Sequence, residues 1–274
     1  MTDIASAASA PRRRLRLVGA SLLLVLSASI VRADPPRLFN ISTRGNVGTG
    51  ADIMIAGLVI GEGDPETVLI RAVGPSLNEL VPQGIPGLLQ SPVLSLFDSA
   101  GNLVQSNQGW GNGNATASVM ATAGAFPLIP GSTDSAIVVT LPAGAYTAQV
   151  SGAGGTTGLA LLEIYEVGAT TKTARLINLS TRGQVGTAGN IMIPGFSISA
   201  GTSNRTLLIR AAGPALAALG LQGTLLDPAI SVVDSANATI ASNDNWGTPV
   251  GPDAKDAAAL TAAYTLAGAF PFAV

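Results

Sequence analysis

The chain of 274 residues contains no cysteine and no histidine. Without thiols there is no disulfide, no thiolate-bound metal and no lipid anchor on an N-terminal cysteine. Without imidazole, Ser-His-Asp and Cys-His nucleophile systems and His-ligated zinc or iron centres are excluded. Aromatic residues are scarce, with two Trp, three Tyr and six Phe, and charged residues make up 11%. A transmembrane barrel needs aromatic girdles and a regular run of strands of about ten residues, so this scarcity counts against one. What remains is rich in Gly, Ala, Val, Leu, Ser and Thr, a composition suited to short strands joined by tight turns.

The first 33 residues differ from the rest. Arg12, Arg13, Arg14 and Arg16 precede an apolar run from Leu17 to Val31, and Ala33 stands before Asp34, Pro35 and Pro36. That order of basic, apolar and small-residue regions predicts a signal peptide over 1–33. A run of about 15 apolar or small residues is short of the roughly 20 that a membrane span needs. The pair Arg12–Arg13 leaves both twin-arginine and general export open. Cleavage after Ala33 removes five of the 14 basic and one of the 16 acidic residues, leaving nine against 15 and a formal charge of −6. The expectation is a secreted or cell-surface protein with no membrane span in the mature chain. With its remaining positive charge scattered as single residues, it has no patch to neutralise nucleic-acid phosphates.

An internal repeat sets the domain organisation. Arg37–Thr49 (RLFNISTRGNVGT) returns as Arg175–Thr187 (RLINLSTRGQVGT), and Ile53–Gly57 returns as Ile191–Gly195. Leu69–Pro75 returns as Leu208–Pro214, Leu96–Ala100 as Val232–Ala236, Trp110–Gly111 as Trp246–Gly247, and Gly124–Pro127 as Gly268–Pro271. The offsets stay between 136 and 144, a period too long for a solenoid and right for a duplicated domain. The reading is a first β-sandwich repeat over 34–168, a polar linker over 169–174 and a second repeat over 175–274. Ser135–Glu166 occurs once, so the second repeat reads as incomplete, cut inside its domain and exposing apolar sheet edges.

Runs of β-branched and apolar residues bounded by Gly and Pro predict strands at 38–42, 53–60, 68–73, 93–97, 103–106, 137–141, 145–150 and 159–165. Pro75 opens a short helical turn through Leu80, echoed after Pro214. Asp98 to Asn102 suits a hairpin turn. An Ala-rich segment over 253–266 predicts a helix with Asp253 as N-cap and Gly268 after its end. The fold class expected is all-β: two tandem antiparallel β-sandwich domains, jelly-roll-like, with short helical insertions.

The series Leu96–Asn102, Asn107–Trp110, Val139–Tyr146 and Val150–Gly152 resembles the pre-peptidase C-terminal type of bacterial β-sandwich, with its Asp-Gly turn, Asn/Asp pair, Leu-Pro-x-Gly-x-Tyr hairpin and closing strand. The likeness covers residues 93–166 and a partial echo at 230–246. The Arg37–Pro75 half lies outside it. The chain also resembles duplicated β-sandwich repeats of uncharacterised exported bacterial proteins. Both resemblances imply an accessory, binding or surface role and no catalytic residue.

Three groups of residues carry candidate chemistry. Arg71 and Arg210 sit in apolar strands, where a charge must be paired or solvated. Either they recognise an anion, or they form structural ion pairs across the sheet, with Glu163, Glu166 or Asp98 as partners, and the ion pair is the expectation. Trp110 and Trp246 follow Asn/Asp-rich turns. With Asn107, Asn243 and Asp244 they are candidates for ligand binding, a ring stacking on a sugar face beside amides. The alternative is that each Trp plugs the end of the sandwich. Asp98, Asn107, Asn243 and Asp244 offer oxygens for Ca²⁺ but lack EF-hand spacing, so no metal and no cofactor is expected. Glu62, Asp64 and Glu66 read as a solvated acidic loop.

No pair of carboxylates is singled out for glycoside hydrolysis, and the expectation is a non-enzymatic module. It would bind a polysaccharide, a surface component or another protein, in adhesion or as part of a larger surface or matrix protein. The alternatives are an accessory region of a secreted hydrolase or a structural spacer.

Overall fold

The computed structural model describes residues 36–167, 174–199, 201, 203–248, 250 and 254–272. The signal peptide expected at 1–33 and the linker expected at 169–174, save Ala174, lie outside the described residues. The first repeat holds β1 (Leu38–Val47), β2 (Met54–Ile60), β3 (Glu66–Val73), β4 (Pro92–Asp98), β5 (Leu103–Asn107), β6 (Ser135–Leu141), β7 (Gly144–Gly152) and β8 (Gly158–Glu166), with helix α1 (Ala117–Thr122). The second holds β9 (Leu176–Arg182), β10 (Ile193–Ile198), α2 (Pro214–Ala217), β11 (Ile230–Val233), β12 (Thr239–Asn243) and α3 (Ala257–Ala267).

All the strand ladders are antiparallel. One sheet has the order β10-β1-β8-β3-β6, another β5-β4-β7-β2-β9, and β11 and β12 form a separate pair. Alternation along the strands explains how the two large sheets stack. In β2, Met54, Ala56, Leu58 and Ile60 are buried while the residues between them are partly exposed, the period-2 pattern of a sheet with one face on a core. These four join Val68, Ile70 and Ala72 of β3, Leu94 and Leu96 of β4, Ala148 and Val150 of β7 and Leu162 and Ile164 of β8 in one apolar cluster between the sheets.

β3 and β8 do not alternate in this way, being buried over most of their length. Their outward residues Leu69, Val73, Leu159 and Tyr165 lie beneath a second cluster formed with Leu77, Ala115, Met120, Ala125 and Leu128. The Ala-rich segment and the turn at Pro75–Leu80 therefore form a cover over one outer face. Gly74 fixes where that cover begins. A Cβ there would stand 1.9 Å from the Leu89 carbonyl oxygen, and one at Gly213 would stand 1.9 Å from the Leu225 carbonyl oxygen. Only glycine permits so close an approach between backbones.

The two repeats share both large sheets. β10 adds to the free edge of β1, and β9 to the free edge of β2. These are one pairing used twice: Arg44 faces Ile193 as Arg182 faces Ile55, and Ser42 faces Gly195 as Ser180 faces Gly57. The Ser199 N–H donates to the Arg37 carbonyl at 2.8 Å, and the Gly61 N–H to the Arg175 carbonyl at 2.9 Å. Equivalent residues meet where the halves cross, with the Thr43 and Thr181 hydroxyls 2.9 Å apart and Asn46 bridged to Gln184. This is the self-complementary contact of a twofold dimer, made within one chain.

The remainder of the second repeat follows the first in part. β11 and β12 reproduce the register of β4 and β5, bulge included, and Asp234 accepts from the Ala236 and Ala238 N–H groups as Asp98 does from those of Ala100 and Asn102. Residues 205–212, the counterpart of β3, are not in a strand. β3 lies between β8 and β6, and no equivalent of either strand flanks 205–212 among the described residues. Helix α3 starts later than the sequence suggests. Its N-cap is Asp256, which accepts from the Ala259 N–H at 2.8 Å, while Asp253 lies outside the described residues. Gly268 closes it in the left-handed conformation.

Candidate functional site: two arginine centres and two tryptophan loops

Position 71 is an outward position of β3, so its side chain points at the Ala-rich cover. Arg71 is fully buried and pairs across the strands with Glu163 of β8, its register partner. The Arg71 Nε–H donates to Glu163 Oε2 at 2.9 Å, Nη2 donates to the same oxygen, and Nη1 donates to the Phe126 carbonyl at 2.6 Å. The guanidinium carbon lies 4.4 Å from the Phe126 ring centroid and 5.6 Å from that of Tyr165. The Tyr165 hydroxyl donates to Glu163 Oε1 at 2.7 Å. Burial first, and then the Glu163 charge, push the Tyr165 phenol far above its ordinary range. The planar fork of arginine suits such a site, because it satisfies a carboxylate and a carbonyl at once while stacking on rings.

Arg210 was expected to mirror this ion pair and does so only in part. Its Nη1 donates to the Phe270 carbonyl at 2.5 Å, as Arg71 does to that of Phe126. Its guanidinium carbon lies within 4.9 Å of the ring centroids of Tyr264, Phe270 and Phe272. Among the described residues no carboxylate stands within salt-bridge distance of it. The physical reason is topological, since Glu163 belongs to β8 and among the described residues no counterpart of β8 lies beside 205–212. Desolvation lowers the Arg210 pKa, and burial raises that of Tyr264.

Trp110 is half-buried against the outer apolar cluster. Its indole N–H donates to the Ile129 carbonyl at 3.1 Å and the Ser132 hydroxyl at 3.2 Å, and its backbone N–H to the Asp134 carbonyl at 2.6 Å. Asn107 accepts from the Ala136 N–H at 3.0 Å. Trp246 packs on Tyr264 and Phe272 with centroid separations of 5.8 and 5.9 Å. The Asn243 amide donates to the carbonyls of Asn245 and Thr248, and Asp244 accepts from the Asn245 amide at 3.0 Å. Asn243 and Asp244 also line an open hollow of about 330 Å³ with Ile230, Ser231, Ser242 and Val250. Trp246 is not among the lining residues, so the hollow holds two of the five candidate ligand residues and neither tryptophan.

Two further networks were not anticipated. Asp134 is fully buried and accepts from the Gly74 N–H at 2.7 Å, from both the N–H and hydroxyl of Ser76 and from the Ser132 hydroxyl at 2.6 Å. It thereby caps the Pro75–Leu80 turn and ties it to the Trp110 loop. Asp134 lies past the last matched stretch, Gly124–Pro127, so no repeat signal marked it. Glu66 is buried in β3, which corrects its reading as part of a solvated loop. It lies 3.9 Å from Arg37, which also pairs with Glu166 at 2.8 Å, while Glu166 accepts from the Leu176 N–H at 2.6 Å. That cluster fastens the start of β9 to the first repeat. Phe126, by contrast, did leave a sequence signal in the repeated Gly-Ala-Phe-Pro.

Among the described residues no three His, Cys, Asp or Glu side chains are grouped to hold a metal ion, and no helix is long and apolar enough to cross a membrane. The fold and these centres define the chain as an all-β protein of packed antiparallel sheets on a duplicated sequence. No protein-family model matches it, and no curated protein does either.

Proposed function

We propose that the chain is an exported, non-catalytic β-sandwich module that assembles with other polypeptides at the cell surface or in an extracellular matrix. The strand orders β1-β8-β3-β6 and β5-β4-β7-β2 support reading the first repeat as a jelly roll. The observation that carries the functional reading is the placement of apolar surface. Among the described residues, 14 of the 17 exposed large hydrophobic residues follow position 174, and an apolar surface of that kind beside open sheet edges suits protein association. The buried charges of the first repeat, by comparison, are engaged internally. The pre-peptidase C-terminal resemblance and the basic-apolar N-terminus support an exported accessory role.

A second reading is favoured by the hollow beside Asn243 and Asp244, which offers amide, carboxylate and hydroxyl groups to a small sugar. A glycan array probed with the chain and with its Trp110→Ala and Asn243→Ala variants separates the two. Absence of saturable binding supports the polypeptide reading. Binding that either substitution abolishes would replace it with the carbohydrate one.

A further inference from the structure

β6 ends the order β10-β1-β8-β3-β6, with no strand on its far side among the described residues. It pairs with β3 along its whole length, from Ser135 opposite Ala72 to Leu141 opposite Glu66. In an antiparallel ladder alternate residues turn their main-chain groups away from the partner strand. In β6 those residues are Ala136, Val138 and Thr140.

The stretch from Asn107 to Asn114 meets this row in turn. The Trp110 N–H donates to the Asp134 carbonyl, just before the strand, at 2.6 Å. Asn107 Oδ1 accepts from the Ala136 N–H at 3.0 Å. Asn114 makes both bonds at Val138, where Oδ1 accepts from the N–H at 3.1 Å and Nδ2 donates to the carbonyl at 2.6 Å. A side-chain amide carries the donor and acceptor of a peptide group, so Asn114 fills the place of a residue in a neighbouring strand. Asn114 is itself exposed, and these bonds rather than burial account for its position. The stretch also turns through Gly109 at φ 83° and a helical turn at Trp110–Asn112. It therefore closes the edge of β6 without offering an extended ladder of its own.

The strand beneath it has a composition that calls for such closure. Ser135–Leu141 reads Ser-Ala-Ile-Val-Val-Thr-Leu, seven residues with no charge, proline or glycine and with four β-branched side chains in a row. Segments of that kind at an open edge pair with copies of themselves.

We propose that Asn107–Asn114 is an edge guard, and that the partner it excludes is β6 of a second copy of this chain, paired antiparallel about a twofold axis. The proposal goes beyond the polypeptide-binding reading and does not depend on it, because it concerns an edge that the fold keeps closed. It gives Asn107 and the backbone of Trp110 a task other than ligand binding, and it assigns Asn114 the central part.

The test compares the whole chain with its Asn114→Ala variant by sedimentation and amide hydrogen exchange, with Thr140→Lys added to each. Lysine on an exposed strand edge opposes pairing. At low concentration the Val138 amide of Asn114→Ala should exchange about tenfold faster than in the parent. One strand edge makes a small interface, so at about 0.1–1 mM chain the variant should rise toward twice the parent's average mass. That rise should bring new protection at Ala136, Val138 and Thr140, and Thr140→Lys should abolish it. A variant that sediments as the parent does would overturn the proposal, and so would an unchanged Val138 amide. Association that Thr140→Lys leaves in place, from folded or unfolded chain, would overturn it as well.

Discussion

Replacing Arg71 by Met tests the central claim about the first repeat, that a charge in an apolar strand is tolerated because Glu163 and the Ala-rich cover satisfy it. The substitution keeps much of the side-chain volume but removes the donors to Glu163 and to the Phe126 carbonyl. Glu163, only 5% exposed, then retains one donor, the Tyr165 hydroxyl. Removing one partner of a buried pair costs about 3–5 kcal/mol, a large share of a domain stability of roughly 5–15 kcal/mol. The double variant Arg71→Met/Glu163→Leu removes both charges. It leaves the Tyr165 hydroxyl and Phe126 carbonyl short of partners, at about 1 kcal/mol each, so it should cost about 1–3 kcal/mol and be more stable than Arg71→Met alone. Urea unfolding in a Trp246→Phe background reads this out, because Trp110 then reports alone and sits against the cover that Arg71 supports. A loss below about 1 kcal/mol for Arg71→Met, or a double variant no better than the single, would refute the reasoning.

The pH dependence of stability should follow two groups of opposite sign. Burial raises the Tyr165 pKa in the folded state, so its contribution is complete below the unfolded value of about 10 and falls as pH rises beyond it; Tyr165→Phe should flatten that alkaline limb in urea titrations. Hydrogen bonds from the Asn102 side chain and backbone lower the Asp98 pKa, so its contribution is present above about pH 4 and is lost as pH falls below that. Asp98→Asn should flatten the acid limb. The pseudo-twofold predicts a matched pair of effects: a Cβ at Gly57 would stand 2.7 Å from Ser180 Oγ, and one at Gly195 would stand 3.0 Å from Ser42 Oγ. Gly57→Ala and Gly195→Ala should each destabilise by about 1–2 kcal/mol in thermal unfolding, with Ser180→Ala relieving the first and Ser42→Ala the second.

Much of the first repeat was legible because its strands carry period-2 burial and its turns carry glycine, proline or Asp98. Seven of the eight strand positions read from those signals lie within the strands observed, and the eighth, 53–60, begins one residue before β2. The arginine centre was half legible. An arginine within Leu-Ile-Arg-Ala calls for a partner, but the choice among Glu163, Glu166 and Asp98 depends on strand register, which no local pattern encodes. The role of Glu66 was missed because flanking Gly63, Asp64 and Pro65 give it the composition of a loop, whereas Arg37, 29 positions earlier in the chain, draws it inward. Asp134 was missed for the same reason. Its donors at Gly74 and Ser76 lie some 60 residues away, and nothing near it in sequence distinguishes it from an ordinary turn aspartate.

The pairing between the repeats could not be read from the repeat alone, because the duplication specifies what each copy contains and not which copy's strand it meets. β10 carries the pattern of β2, and β9 that of β1, so either could have folded back on its own copy. The observed solution joins β1 to β10 and β2 to β9, and the two joints are related by the 138-residue offset. Each covers an edge of the first repeat's sheets that would otherwise present unpaired N–H and C=O groups. The first repeat therefore draws on the second to cover one edge of each sheet, and the second draws on the first for the sheets that β9 and β10 join. Local opening should follow that division. The amides of β9 and β10, held by the first repeat, should exchange with its cooperative unit, whereas β11 and β12, among the described residues paired only with each other, should exchange at the rate of an isolated hairpin.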